Sequence, residues 1–209
     1  MNSLNLLFQK LSSKKTNLRK VEKSAYHECG HIVMAYIFGY SCKEVNLTKP
    51  YNSKLILDYH SKSKQVEAIR QYTSRPELYY ALNQDDKKES AETAVELLTI
   101  MLAGSVSETV FLTEEDLSSF PPYPIEPHDQ KEVFSIDFFL AQINTRHQVD
   151  FIQKTSKEVA TLLSFPFIRR TVDLLQKELN LHKELSQNRI EQLFQSTGFW
   201  EFVLERGKE

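Results

Sequence analysis

Residues 27–31 read His-Glu-Cys-Gly-His, so two histidines flank a glutamate at the spacing HExxH. Four residues make about one helical turn, and on a helix His27 and His31 would therefore project from the same face. Two neutral imidazoles placed in this way can hold one Zn²⁺, with ring nitrogens about 2.0–2.1 Å from the metal. Glu28 can reach a water molecule on the metal and accept its proton. The pattern predicts metal-assisted hydrolysis of a carbonyl group, with Glu28 as the base.

The residues around this motif follow helical periodicity. Apolar side chains recur at steps of three and four residues from Val21 to Tyr36, which predicts an amphipathic helix over about residues 17–38. Gly39 stands where a residue in the left-handed conformation would end that helix. Two satisfied histidines on a buried helix face are the plainer alternative, but the position of the motif within an amphipathic helix favours a metal site.

A zinc site of this kind needs a third protein ligand. The metzincin class continues with a glycine three residues after the second histidine and a histidine three residues later, and those positions hold Met34 and Ile37. That class is therefore excluded. A glutamate on a downstream helix is one option, for which Glu96 and Glu108 are candidates, and an aspartate is the other.

Three segments carry a resemblance to a known family. Residues 25–31, Ala-Tyr-His-Glu-Cys-Gly-His, resemble the AYHEAGH signature of FtsH-type zinc metalloproteases, with Cys29 in place of alanine. Residues 102–108 resemble the LAGRAAEE helix of that family, although Ser105 replaces its arginine. The pair at 128–129, His-Asp, resembles an Asn-Asp pair whose aspartate is the third zinc ligand. The resemblance covers about residues 20–194, and only its first motif is specific.

The resemblance implies Zn²⁺ as the cofactor, with His27, His31 and Asp129 as ligands and Glu28 as the catalytic base. A physical argument also supports Asp129 as a ligand. It follows a proline-rich stretch and lies in a predicted first helical turn, where the helix dipole favours a carboxylate. An ordinary acid at a helix start explains it equally well. Glu108 is a candidate to orient a ligand imidazole, and a buried cap or ion pair is the alternative role.

Residues that would contact a substrate are not identified by any motif. The resemblance implies an extended peptide beside the active-site helix, and the exposed edge of a ribbon at residues 55–59 could add it as a strand. His128 is expected at the surface or beside the metal ligands. Cys42 could serve as a thiol ligand in principle, but it has no CxxC partner.

The predicted fold class is mainly α: an array of about six helices with a two-stranded β-ribbon, FtsH-peptidase-like. The ribbon is predicted at residues 44–48 and 54–60. The peptidase-like domain covers residues 17–196, after a leading segment at 1–16 that could be disordered and before a polar tail at 197–209.

Three helix boundaries follow from local signals. Ser90 is predicted to cap a largely buried helix that runs to about Phe111, after short helices and an exposed loop at residues 61–89. Pro127 fits the first turn of the next helix. Ser164 and Pro166 indicate a restart or a kink between two later helices.

The composition argues against several other classes. None of the 5 glycines has the spacing of a P-loop or of GxGxxG, which speaks against a nucleotide site. The 26 basic and 28 acidic residues do not favour a nucleic-acid partner. Two cysteines suit a reducing compartment, so a cytoplasmic location is predicted. The longest apolar run in the first half, residues 32–38, is too short to span a membrane.

The resulting prediction is a zinc-dependent metalloendopeptidase-like protein that hydrolyses peptide bonds in unfolded or peptide substrates. FtsH-type proteases carry membrane helices and an ATPase before the peptidase, whereas this sequence shows neither. ATP-independent cleavage of loose chains, or help from a separate unfoldase, is expected, and a homo-oligomer is compatible with the sequence.

The alternative from another class is a catalytically silent metal-binding or regulatory scaffold that keeps the peptidase fold. Two departures from the FtsH-type pattern favour this alternative: Ser105 replaces its arginine, and the spacer before Asp129 is longer. The intact Glu28 argues against it. A third hypothesis, a helical interaction module without metal, requires the HExxH spacing to be a coincidence.

Overall fold

A computed structural model describes residues 21–47, 53–112, 125–144 and 150–206. The first element, helix α1, covers residues 21–37 of this part of the chain. The elements that follow are, in chain order, β1 (Ser41–Asn46), β2 (Lys54–Asp58), a 3₁₀ turn (His60–Lys62), α2 (Ser63–Tyr72), α3 (Pro76–Tyr80), α4 (Gln84–Leu112), α5 (Pro127–Ile143), α6 (Phe151–Ser164), α7 (Pro166–His182), β3 (Glu184–Ser186), α8 (Gln187–Gln195) and α9 (Phe199–Arg206).

The mainly α fold class is confirmed, but the count of elements differs from the prediction. Nine α-helices lie within the described ranges. Helices α2 and α3 are short helices of the kind predicted after residue 61, whereas α9 lies in the predicted tail. The leading segment 1–16 and most of the proline-rich stretch before Pro127 lie outside the described residues.

The sheet has three antiparallel strands in the order β2-β1-β3, so the prediction of a two-stranded ribbon was incomplete. Strands β1 and β2 pair from Ser41 opposite Asp58 to Asn46 opposite Lys54. Strand β3 adds only three residues, and Leu185, which lies opposite Val45, is its buried position. So short a strand shows no alternation that a sequence pattern could reveal. Strand β2 stands at an edge of this sheet.

Helix α4 lies between two hydrophobic clusters. One set of α4 side chains, which includes Ala103 and Val106, packs with α1, β1 and the C-terminal helices. Another set, including Leu98 and Leu102, packs with α2, α3 and α5. A helix that is apolar on all sides is typically buried between neighbours. Helix α4 is long and apolar enough to cross a membrane by length and composition, but 67% of its most apolar window is buried inside the fold.

Helix α4 begins six residues before Ser90, which was predicted to cap it. It starts at Gln84, and Asn83 Oδ1 accepts a hydrogen bond of 2.9 Å from the Asp86 amide, as a residue before a helix start does. Ser90 is instead buried within the helix. Pro127 does occupy the first turn of α5, and a break at Phe165 separates α6 from α7.

The end of the described chain is a packed helix and not the polar tail that was predicted from residue 197. In α9, Phe199 is completely buried, and its ring stacks on Phe194 with a centroid distance of 4.2 Å. Trp200 packs edge-on against Tyr36 of α1. Phe199 and Trp200 stand beside charged residues in the sequence. The segment is therefore polar on average, and its composition did not indicate a packed helix.

Candidate metal centre

Helix α1 places its three motif side chains inside the fold. His27, Glu28 and His31 are each no more than 4% exposed. The buried face of α1 is pressed against α4 at Gly30, where an added Cβ would collide with the Ala103 carbonyl oxygen and lie 2.7 Å from Ser107 Cβ. Glycine at this position therefore permits the close approach of the two helices.

Three side chains from two helices converge on one point. His27 Nε2 lies 3.0 Å from His31 Nε2 and 3.0 Å from Asp129 Oδ2. His31 Nε2 lies 3.5 Å from the same carboxylate oxygen. Ligands at 2.0–2.1 Å from a tetrahedral Zn²⁺ lie about 3.3 Å from one another. The spacing of these three atoms is therefore that of three corners of a zinc coordination tetrahedron.

The surroundings of these atoms also fit a metal. His31 Nδ1 lies 2.7 Å from the Ile100 carbonyl oxygen, which can only accept, so Nδ1 carries the proton and Nε2 offers a lone pair. Asp129 Oδ2 is buried and receives no hydrogen bond from any described residue. A buried carboxylate oxygen without a donor is costly unless a cation compensates it. The donor set of two imidazoles and a carboxylate is one that Zn²⁺ accepts.

Glu108 of α4 lies behind His27. Its Oε1 is 2.9 Å from His27 Nδ1, although the two atoms lack the alignment of a good hydrogen bond. Burial of His27 opposes its protonation, but the carboxylates of Asp129 and Glu108 outweigh burial and raise the pKa of the imidazole to about 10. The carboxylates thus make this point of the fold favourable for a positive charge.

A second contact of Glu108 connects the cluster to the start of α5. Lys23 Nζ lies 3.0 Å from Glu108 Oε2 and also forms an ion pair with Glu126. The Glu126 amide donates to Ser105 Oγ over 3.1 Å. These contacts hold the residue before α5 against α1 and α4, and Asp129 follows three positions later. Ser105 therefore helps to place the segment that carries Asp129.

The charge state of Asp129 follows from this placement. Burial opposes ionisation of its carboxyl, but the contacts with His27 and His31 hold its pKa well below the usual range. The carboxylate is therefore ionised in the described structure and is available as a ligand.

Ser53 is a member of the site that the sequence did not indicate. Its hydroxyl, just before β2, donates to Glu28 Oε1. The contact joins the glutamate of the HExxH motif to the start of the edge strand. A lone serine in a loop carries no sequence signal, so this contact could be found only in three dimensions.

His128 approaches the same point from a less buried position. Its Nε2 lies 3.1 Å from His27 Nε2 and 3.6 Å from Asp129 Oδ1, while its side chain is 50% exposed. The sequence placed it at the surface or beside the ligands, and the structure places it beside them.

Other candidates named from the sequence lie elsewhere. Glu96 forms an ion pair of 2.7 Å with Lys62 and accepts a hydrogen bond from Tyr40, so it is engaged away from the histidines. Cys42 is completely buried in the core cluster of α1 and β1. His182, which belongs to no motif, pairs loosely with Glu178 at the end of α7.

No protein-family model matches this chain, and a comparison with curated proteins finds no significant relative.

Proposed function

We propose that this chain is a zinc-dependent metallopeptidase-like protein of the FtsH-peptidase-like fold, which hydrolyses peptide bonds in unfolded or peptide substrates. The observation that carries the proposal is the convergence of His27 Nε2, His31 Nε2 and Asp129 Oδ2 within 3.0–3.5 Å of one another, beside Glu28. A cytoplasmic location, help from a separate unfoldase and assembly into a homo-oligomer remain parts of the same proposal.

The protein groups have separate roles in this proposal. His27, His31 and Asp129 would hold Zn²⁺, and Glu108 would orient His27. When bound, Zn²⁺ lowers the pKa of a water to about 7 and polarises a carbonyl group. The Glu28 carboxylate accepts the proton of the attacking water, and the Ser53 hydroxyl holds Glu28 Oε1 in place.

The edge strand supports an extended peptide as the substrate. Strand β2 begins directly after Ser53, so the sheet edge starts beside the base. Within the described residues β2 pairs only with β1, which leaves its other side available for strand addition. A peptide paired with β2 would pass close to Glu28.

The experiment combines metal analysis of the purified protein with hydrolysis of casein and of short peptides. We expect one zinc per chain and hydrolysis that Glu28→Gln abolishes while zinc remains bound. Glu22→Gln, an exposed acid on the same helix, is the matched control and should change neither quantity. Absence of stoichiometric zinc would contradict the site, and hydrolysis unaffected by Glu28→Gln would contradict the mechanism.

A silent metal-binding scaffold is the second candidate. The second group of possible ligand atoms, His27, Glu28 and His128, favours it, because this group would use as a ligand the glutamate that hydrolysis needs as a base. Stoichiometric zinc without hydrolysis of any unfolded substrate would select this candidate.

A further inference from the structure

His128 lies beside the proposed zinc ligands without belonging to their group. It stands in the first turn of α5, directly before Asp129. Its Nε2 lies 3.1 Å from His27 Nε2 and 3.6 Å from Asp129 Oδ1, whereas the Asp129 oxygen that faces His27 and His31 is Oδ2. Neither the HExxH motif nor the proposed mechanism gives this imidazole a role.

A second group of possible ligand atoms contains His128. It consists of His27, Glu28 and His128, whose ligand atoms all lie within 4.8 Å of one another. The two ring nitrogens are 3.1 Å apart, close to the roughly 3.3 Å between two ligands of a tetrahedral Zn²⁺. Two imidazoles and a carboxylate are again a donor set that Zn²⁺ accepts.

Glu28 can take part in this group without losing its contact with Ser53. The Ser53 hydroxyl donates to Glu28 Oε1, and a carboxylate has a second oxygen that can bind a metal. The contact that holds Glu28 in place as a base would therefore also hold it in place as a ligand.

The two groups share His27, and this makes them alternatives. His27 Nε2 lies 3.0 Å from His31 Nε2 and 3.1 Å from His128 Nε2. An imidazole nitrogen has one lone pair, so His27 Nε2 can bind only one metal ion at a time. An ion held by the second group also occupies Glu28, which hydrolysis needs as a base.

The two groups differ in their exposure to solvent. The side chains of His31 and Asp129 are 4% and 10% exposed, whereas that of His128 is 50% exposed. A cavity of about 490 Å³ also borders His128. The second group is therefore the outer one, and an ion that arrives on the His128 side meets it before the buried group.

We propose that His27, Glu28 and His128 form an outer metal position, at which Zn²⁺ binds in exchange with the buried position of His27, His31 and Asp129. Zinc in the outer position is idle, because Glu28 is then a ligand and is not available as a base. The inference rests on the proposed metal site and adds a second place for its metal, in which the zinc-loaded protein is inactive.

The test removes His31, which belongs to the buried group and not to the outer one. His31→Ala and the less space-creating His31→Gln are each combined with His128→Ala. The matched control combination uses His182→Ala, which removes a histidine of similar exposure, 54% against 50%, at the end of α7. Competition with a chelator gives the zinc affinity, and X-ray absorption counts the imidazoles on zinc. Thermal melting of the zinc-free variants verifies that they are folded.

We expect each His31 variant to bind one zinc with reduced affinity and with two imidazoles on the metal, those of His27 and His128. Adding His128→Ala should leave one imidazole and lower the affinity further, by at least the roughly 10–100-fold seen when an outer partner of a ligand is removed. Adding His182→Ala should change neither quantity. In the wild-type background His128→Ala should lower the affinity by a smaller factor, because the buried position is intact.

Folded His31 variants that bind no zinc, or whose zinc affinity His128→Ala does not lower, would overturn the outer position while leaving the proposed function intact. A single imidazole on zinc in both His31 variants would overturn it as well. A wild-type protein that binds no zinc would instead remove the proposed function, and this inference with it.

Discussion

A Cβ atom on Gly104 would lie 2.5 Å from His31 Nε2 and 2.8 Å from His27 Nε2. The backbone of α4 therefore forms the floor of the histidine cluster, and glycine is the residue that leaves room for both imidazoles. Gly30 has the complementary role on α1, where an added Cβ would collide with the backbone of α4. The two glycines let the helices approach, and the approach places the ring nitrogens beside Asp129.

Gly104→Ala should weaken zinc binding by roughly tenfold or more, because the added methyl group displaces the ligand imidazoles. The added methyl group occupies space that the two imidazole rings now fill, and overpacking should lower the zinc-free stability by about 1–3 kcal/mol. Chelator competition and denaturant unfolding measure the two effects. Gly39→Ala is the comparison, because a Cβ on Gly39 meets no atom within 4 Å, so the variant strains the backbone at the end of α1 without crowding the imidazoles. Wild-type zinc affinity in Gly104→Ala would contradict the geometry.

Glu108→Gln should reduce zinc affinity by roughly 10–100-fold, because it removes the carboxylate 2.9 Å from His27 Nδ1. It also removes an ion pair with Lys23 that helps to hold the start of α5. Glu96→Gln changes a glutamate on the same helix that pairs with Lys62, and it should leave zinc affinity unchanged. Equal effects of the two substitutions would show that Glu108 has no special relation to the ligands.

Asp137→Asn should stabilise the protein at neutral pH. Burial, and then the charge of Asp150, raise the pKa of the Asp137 carboxyl, partly offset by the Ile152 amide. An acid with a raised pKa in the folded state destabilises the fold once it ionises, and this loss disappears as the pH falls below the unfolded value of about 3.9. Melting temperatures should therefore be higher than wild type at pH 7 and equal to it near pH 3.

The control for this substitution is Asp85→Asn, which changes an exposed acid in the first turn of α4. It should give no gain at pH 7, because the helix dipole favours a carboxylate there. A gain of the same size in both variants would mean that the effect reflects overall charge and not the environment of Asp137.

Both cysteines should be unreactive toward a thiol reagent at pH 8 in the native protein. Burial raises the pKa of the Cys42 thiol to about 12 and places that of Cys29 well above its usual value. The reactive thiolate is therefore scarce, and both sulfurs are enclosed. Labelling should become rapid after unfolding in denaturant. Fast labelling of the native protein would contradict this burial.

Phe199→Ala should lower the free energy of unfolding by about 3–5 kcal/mol, as for other fully buried aromatic residues. Its ring stacks on Phe194 and is not exposed to solvent. Leu204→Ala, on the same helix but 66% exposed, should change it by less than about 0.5 kcal/mol. Denaturant titration distinguishes the packed helix α9 from a polar tail, for which both substitutions would be neutral.

Local periodicity accounts for what the sequence determined by itself. The steps of three and four residues predicted helix α1, and the spacing of His27 and His31 placed both imidazoles on one of its faces. These are relations between residues that are close in the sequence, so they can be recognised without knowing the rest of the fold. The mainly helical class and Pro127 in the first turn of α5 followed from signals of the same kind.

Only the tertiary structure decided which distant residues meet that helix face. Glu96 and Glu108 were equal candidates on one helix, and the crossing of α1 over α4 brings Glu108 to His27 while Lys62 engages Glu96. Ser53 and His128 reach the site through the sheet edge and the start of α5. Such contacts depend on how whole elements pack, and packing between segments this far apart leaves no periodic trace in a single sequence.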